Sequence, residues 1–463
     1  HCGMVTQPVS DDAWLDELEA RPAHPRLHGV IHGPLAGPLR MGRRSRAFAQ
    51  TTPGKLIVVM VLLTTMLLAA GLSMSQSMAG RNQALDTVRE ATEPMSAAAH
   101  LLSTSLLRAD TIAAAGFVQP GPLSEGDAEA YAAAIDTAVS SAGEIYKGAV
   151  EANSPTSASI EELVSDIQRD LPIYVGLNER ARVNQRMGNP VGVAYMSEAS
   201  GIMRSRMLVA ASEINALTRG DVAKEMRRLS RPQWIPLSGL LAALVFLVLT
   251  QWWLWRVFRR RLNRGFLAGT LAVVVALSWA GVSNYQSWRS GSVGYERAAQ
   301  PWEELTAARI DALETRTDET FALLRRQSVV HSSRAFDGTY ASVSAAIATA
   351  EEYGGSQQLI DDARAALNAW AYEHNELVGA LNSGSYDQAT ALLASGGAAG
   401  ETAFRELDAT LSEMITASRE DTRVYIGASL DATRRVAAVV ALLSVLAVMC
   451  TWFGIRRRLG EYL

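Results

Sequence analysis

WIPLSGLLAALVFLVLTQWWLWRVFRRRLNRGFLAGTLAVVVALSWAGVS, residues 234–283, decides the fold. Two apolar runs, 234–255 and 265–283, flank a nine-residue segment, 256–264, that holds five arginines: Arg256, Arg259, Arg260, Arg261 and Arg264. A helix needs about 20 apolar residues to cross ~30 Å of hydrocarbon, so each run is long enough to span a membrane. With so short a loop between them, the two runs read as a helical hairpin.

Working outward, residues 55–75 and 436–455 have the same length and character. None of the four runs carries an ionised side chain beyond its first residue. The connections are very unequal: 158 residues at 76–233 and 152 residues at 284–435, against nine at 256–264. Such a chain is predicted to place two large modules on one side of a membrane. Arginine says which side. Arg43, Arg44 and Arg46 precede the first span, Arg259, Arg260 and Arg261 lie in the loop, and Arg456, Arg457 and Arg458 follow the last span. The positive-inside rule then puts the N-terminal segment 1–54, the loop 256–264 and the tail 456–463 in the cytoplasm of a plasma membrane. Arg434 and Arg435 oppose this mildly and are outvoted.

Charge is distributed accordingly. Segment 76–233 holds 15 basic and 19 acidic residues, and segment 288–433 holds 11 and 22, while the whole chain is only −4. The positive charge left for the inner face suits anionic lipid headgroups, and nucleic acid need not be invoked. The only cysteines, Cys2 and Cys450, cannot staple either module, so both must stand on packing. No secretory signal is separable from the first span, which reads as an uncleaved anchor. The chain opens at His1, so Met4 and Met41 are the candidate initiators, and the Pro- and Gly-rich stretch within 1–54 is expected to be disordered. His24, His28 and His32 recur every fourth residue there, but Pro25 and Pro34 argue against the helix that a metal site would need.

Both modules read as helices. Strand-like alternation is nearly absent, and a few breaks punctuate each module: 116–127, 153–157 and 188–192 in the first, and 336–338, 354–356, 382–385 and 395–400 in the second. The expected fold is an all-α membrane protein with four spans and two tandem extracytoplasmic four-helix bundles, whose outer helices continue the spans. Met207, Ala210, Ile214 and Leu217 follow 3-4-3 spacing, as do Phe404, Leu407, Leu411 and Met414, with Tyr425 further along. The stripes read as bundle cores rather than a dimerising coiled coil, and self-association stays open. Tyr174 and Trp370 are 196 residues apart, as are Gly188 and Gly384, and Pro94 and Pro301 are 207 apart. A duplicated span–bundle–span unit explains these offsets.

Chemistry is sparse. There is no phosphate loop, GxSxG, HExxH or CxxC, so no catalytic residue, metal or cofactor is expected. Gly239, Gly269 and Gly281 are expected to allow close helix contact, and without ionisable residues inside the spans a channel or transporter is disfavoured. The repeated Arg-x-Asp, Arg108/Asp110 and Arg316/Asp318, is the one candidate contact site, because a guanidinium fork takes a carboxylate and a carboxylate takes an ammonium. An ordinary surface charge pair is the commoner meaning of such a pattern. With no other converging polar set in view, the modules are expected to bind a folded protein rather than only a small molecule.

Each span–bundle–span half resembles the sensor half of a chemoreceptor or sensor kinase. RRSRAFAQTTPGKLIVVMVLL at 43–63, LLRADTIAAAGF at 106–117 and the closing GIRRRLGEYL, set in the double arrangement, resemble the actinobacterial GlnX family over the chain from about residue 43. That resemblance implies a non-enzymatic signal transducer. Its implied partners are an extracytoplasmic solute-binding lipoprotein for glutamate or aspartate and the cytoplasmic serine/threonine protein kinase G, which controls 2-oxoglutarate and glutamate metabolism. The alternative is a non-catalytic membrane subunit of a transport or cell-envelope assembly. In either case the segments expected inside are too short to fold as a catalytic domain, so output is expected through docking on the nine named arginines.

Overall fold

The structure, a computed structural model, describes residues 52–118, 123–258, 263–325, 329–394 and 399–459. All regular structure among them is helical. The helices are α1 (Thr52–Thr87), α2 (Glu93–Val118), α3 (Glu125–Ala152), α4 (Ser157–Arg186), α5 (Val191–Ile202), α6 (Leu208–Ser230) and α7 (Trp234–Phe258). The second half continues with α8 (Arg264–Trp288), α9 (Tyr295–Arg325), α10 (Val329–Glu352), α11 (Gln357–Asn382), α12 (Tyr386–Ala394), α13 (Ala399–Arg434) and α14 (Val436–Leu459). Short π-helical turns, Val88–Thr92, Met203–Met207 and Arg289–Gly294, join α1 to α2, α5 to α6 and α8 to α9 without ending the rod.

Among the described residues four helical rods are long and apolar enough to cross a membrane, and this is an all-α, multi-pass membrane protein. In the span layer, α1 packs on α7 and α14, and α8 packs on the same two. Leu56, Met60, Leu63, Leu67, Ala70 and Met74 form the buried stripe of α1, at the 4-3-4-3-4 spacing of a bundle seam. Val58, Val61, Leu62 and Leu72 face outward, as a helix apolar on all sides requires when its solvent is lipid. Gly269 sits against Thr451 and the carbonyl of Ala447, and Gly239 just reaches Ala70, whereas Gly281 faces open space. At Gly265 a Cβ would collide with the Cys450 carbonyl oxygen and the Gly454 backbone. Glycine there lets α8 and α14 touch through their backbones.

Beyond the spans the helices continue as a four-helix stalk. Leu85 and Val88, then Val222, Met226 and Leu229, then Tyr295 and Ala299, and last Ile426 and Leu430 bring residues from all four rods into one apolar layer. A polar ring lies on the span side of it. Arg81, 4 % exposed, donates to Asn284 Oδ1 at 3.0 Å and to the Arg231 carbonyl at 3.4 Å. Gln233 donates to the Ser77 carbonyl at 3.2 Å, and Asn82 to that of Thr433 at 3.2 Å. These bonds tie all four rods together where they leave the apolar layer.

Each half then builds a four-helix bundle. In the first, α2, α3, α4 and the α5–α6 rod enclose Leu102, Leu106, Ile145, Ile160, Val164, Tyr174, Met207 and Ile214. Alanines 134, 138 and 142 line the inner face of α3, which lets α2 pack closely on it. In the second, α9, α10, α11 and α13 enclose Leu305, Val343, Ile347, Ile360, Trp370, Leu407 and Leu411. The two 3-4-3 stripes face these cores, buried except for the half-buried Leu217, but Tyr425 is 38 % exposed and its neighbour Ile426 takes the inward place. The duplication shows in detail. Tyr174 and Trp370 are among the largest fully buried side chains, and Gly188 and Gly384 end their helices at φ +68° and +73°. A positive φ at that place is the reason for glycine in both. One expected break is not a break, since residues 336–338 lie within α10. Part of another, 395–398, lies outside the described residues.

Candidate functional site: the cleft between the bundles

The two bundles stand side by side, with α2 against α9. Apolar residues are exchanged at the boundary: Leu107 of α2 belongs to the core of the second bundle and Phe321 of α9 to that of the first. Around them the interface is polar. Thr111 and Thr317 share a hydrogen bond at 2.7 Å, and His100 meets Trp302 edge-on with centroids 5.2 Å apart. Ion pairs cross from bundle to bundle: Arg204 with Asp318, Arg219 with Glu303 at 3.5 Å, Arg405 with Asp127 at 3.2 Å and Arg419 with Glu93 at 2.8 Å. Contacts of this kind are individually weak and reversible where exposed, so the boundary is built differently from the bundle cores.

A cavity of about 630 Å³ opens along this boundary. Arg108, Thr111 and Ile112 of α2 and Asp127 of α3 line one side, and Arg309, Leu313 and Arg316 of α9 with Phe404, Arg405, Asp408 and Glu413 of α13 line the other. Most of its charges are engaged. Arg309 grips Asp408 through two bonds, Nε to Oδ1 at 2.6 Å and Nη2 to Oδ2 at 3.2 Å. Arg316 bonds Glu319 at 3.3 Å and lies over the Phe404 ring at 5.7 Å.

The repeated Arg-x-Asp is thereby split. Arg108 and Arg316 converge on the cleft, while Asp110 and Asp318 do not. On a helix, residues two apart point in very different directions, so one pair cannot serve one pocket. Asp318 is exposed on the far side of α9, pairing with Arg204. Asp110 turns into the first bundle, 1 % exposed, where Tyr174 and Ser200 donate to its two oxygens at 3.2 and 3.0 Å. Burial raises its carboxyl to about 6. The second bundle also buries an acid from its first helix, Glu319, bonded to His374 Nδ1 at 2.6 Å and to Arg316. Phe336 stacks on His374 at 3.8 Å. Next to this group, burial raises Glu373 to about 7. His100, buried at the boundary, is pushed down to about 4 by burial and by Arg219 and Arg419. Sequence reading missed this convergence of polar residues, because its members come from four helices up to 305 positions apart (108 to 413).

Among the described residues no group of three or more His, Cys, Asp or Glu is arranged to hold a metal. His24, His28 and His32, and also Arg43, Arg44, Arg46, Arg259, Arg260 and Arg261, lie outside the described residues. Arg456 is exposed on α14, and Arg457 and Arg458 continue that helix.

Residues 84–227 match the model of a family described as an actinobacterial sensor domain. The match runs from stalk to stalk, taking in the first bundle whole and stopping short of the second. No curated protein and no solved structure matches the chain. A sensor domain carried on a multi-pass membrane scaffold makes this a sensor-type protein, with a sensing or signalling role.

Proposed function

We propose that the protein is a non-enzymatic transmembrane signal transducer. In this reading the bundles lie outside the cell and the termini inside. A solute-binding lipoprotein reports glutamate or aspartate to the bundles, and the signal passes to a cytoplasmic serine/threonine kinase governing 2-oxoglutarate and glutamate metabolism. The resemblance to the GlnX family supplies these partners, and the sensor-domain match supports the role. The observation that carries the reading is the boundary between the bundles: polar, ion-paired and cleft, on rods that lead directly into the spans, the first and third of them as continuous helix. A partner that binds one relative placement of the bundles better than another shifts the spans with it; equal binding to both would shift nothing.

The tip of the first bundle offers a place for that partner. Val183, Met187, Val191 and Val193 are exposed around the α4–α5 turn, Met187 by 67 %. Exposed apolar clusters on otherwise polar surfaces mark protein contacts. Photo-crosslinking residues at Met187 and at Arg456, placed in the full chain in intact cells, test the reading. Capture of a solute-binding lipoprotein at the first position and a kinase at the second is the expected result. Capture of an ATPase and a permease would replace it with the membrane-subunit reading.

A further inference from the structure

We propose that the cleft between the bundles binds a small zwitterion directly, an α-amino acid by class, with Arg108 taking its carboxylate and Glu413 its ammonium. The inference rests on the sensor reading and adds to it a ligand site on this chain itself. Seven charged residues line the cleft. Five are spoken for: Arg309 by Asp408, Arg405 by Asp127, and Arg316 by Glu319. Arg108 and Glu413 remain, one of each sign, both exposed and with no ion pair among the described residues. A simple anion would satisfy Arg108 and leave Glu413 facing it, and a simple cation would do the reverse. A molecule carrying both charges satisfies both. Ile112, Leu313 and Phe404 give its side chain an apolar wall, and about 630 Å³ falls in the range of small-molecule sites.

Placement gives such a ligand leverage. Arg108 stands on α2, continuous with the first span, and Glu413 on α13, which leads into the last. A molecule held between them draws the two halves together across the boundary that separates the bundles. The two engaged pairs beside it, Arg309–Asp408 and Arg405–Asp127, keep neighbouring guanidinium groups from competing for its carboxylate.

The test uses the full-length protein in detergent, titrated by calorimetry and thermal shift with each of the twenty L-amino acids up to millimolar concentration. One or a few are expected to bind. The N-acetyl derivative of a binder, which lacks the ammonium, and its amide, which lacks the carboxylate, should each bind at least ~10-fold more weakly. Arg108→Gln and Glu413→Gln should each weaken binding to a similar degree while leaving the unliganded melting point unchanged, because neither side chain holds the fold. Arg364→Gln, on the exposed Glu351 pair of the second bundle, should have no effect. Failure of all twenty to bind, or binding indifferent to both substitutions, overturns the proposal. If that happens while Met187 still captures a lipoprotein, the ligand site falls and the sensor reading stands.

Discussion

Replacing Asp110 by asparagine removes one titrating proton from the middle of the first bundle and little else. Asparagine matches the shape, its Oδ1 can accept from Tyr174, and its Nδ2 can donate to the Ser200 hydroxyl. In the native protein burial raises the Asp110 carboxyl from 3.8 to about 6, although Arg204, Ser200 and Tyr174 pull the other way. The folded protein therefore keeps a proton that the unfolded chain releases between those values. Stability attached to this group is fully present below about pH 3.8 and is lost as pH rises through about 6. A shift of about 2 units corresponds to about 3 kcal/mol. At ~2–4 °C per kcal/mol for a unit of this size, the difference in melting point is ~6–12 °C. The assay is a thermal melt of both full-length proteins in detergent at one scan rate, across about pH 4 to 8, read as variant minus wild type so that other titrating groups cancel. The two should coincide at the acid end and separate, with Asp110→Asn the more stable, above about pH 6. Parallel profiles would refute the assignment of a protonated acid to this site.

His100 should behave in the opposite sense: its folded value near 4 lies below the ordinary 6.5, so its contribution is present above about 6.5 and lost as pH falls through about 4. Wild type should accordingly lose melting temperature relative to His100→Phe on acidification from about pH 7. Glu319→Ala leaves Arg316 and His374 buried without their shared partner and should cost roughly 3–5 kcal/mol, seen as a drop in melting point far larger than that of the exposed Glu352→Ala. For topology, in a chain carrying Cys2→Ala and Cys450→Ala, the exposed positions Ser140→Cys and Ser356→Cys should react with a membrane-impermeant thiol reagent in intact cells. Arg456→Cys should react only after permeabilisation, and the reverse pattern would invert the orientation.

Much of this architecture was legible before folding. Runs of apolar residues such as 234–255 and 265–283 have one stable fate, because a backbone in hydrocarbon must satisfy its own hydrogen bonds and a helix does so within the run. The bundle seams were legible for a similar reason: Met207, Ile214, Phe404 and Leu411 repeat at helical spacing, and a periodic apolar stripe has to be buried. Paired positions such as Gly188 and Gly384 betrayed the duplication, since a positive φ restricts the residue type locally. Each of these signals lives within one helix or one turn. The placement of the two bundles does not. Both Arg108 and Arg316 reach the cleft, but nothing in the local pattern distinguishes Arg108, exposed and without an ion pair among the described residues, from its counterpart Arg316, 8 % exposed and committed to Glu319. Nor does it tell that Asp110 turns inward while Asp318 turns toward Arg204. A charged residue's partner is set by which helices lie beside its own, and that is decided by the summed packing of α2, α9 and α13 across long stretches of sequence. The cleft exists only because two bundles, each specified by its own helices, meet through a boundary that neither specifies alone.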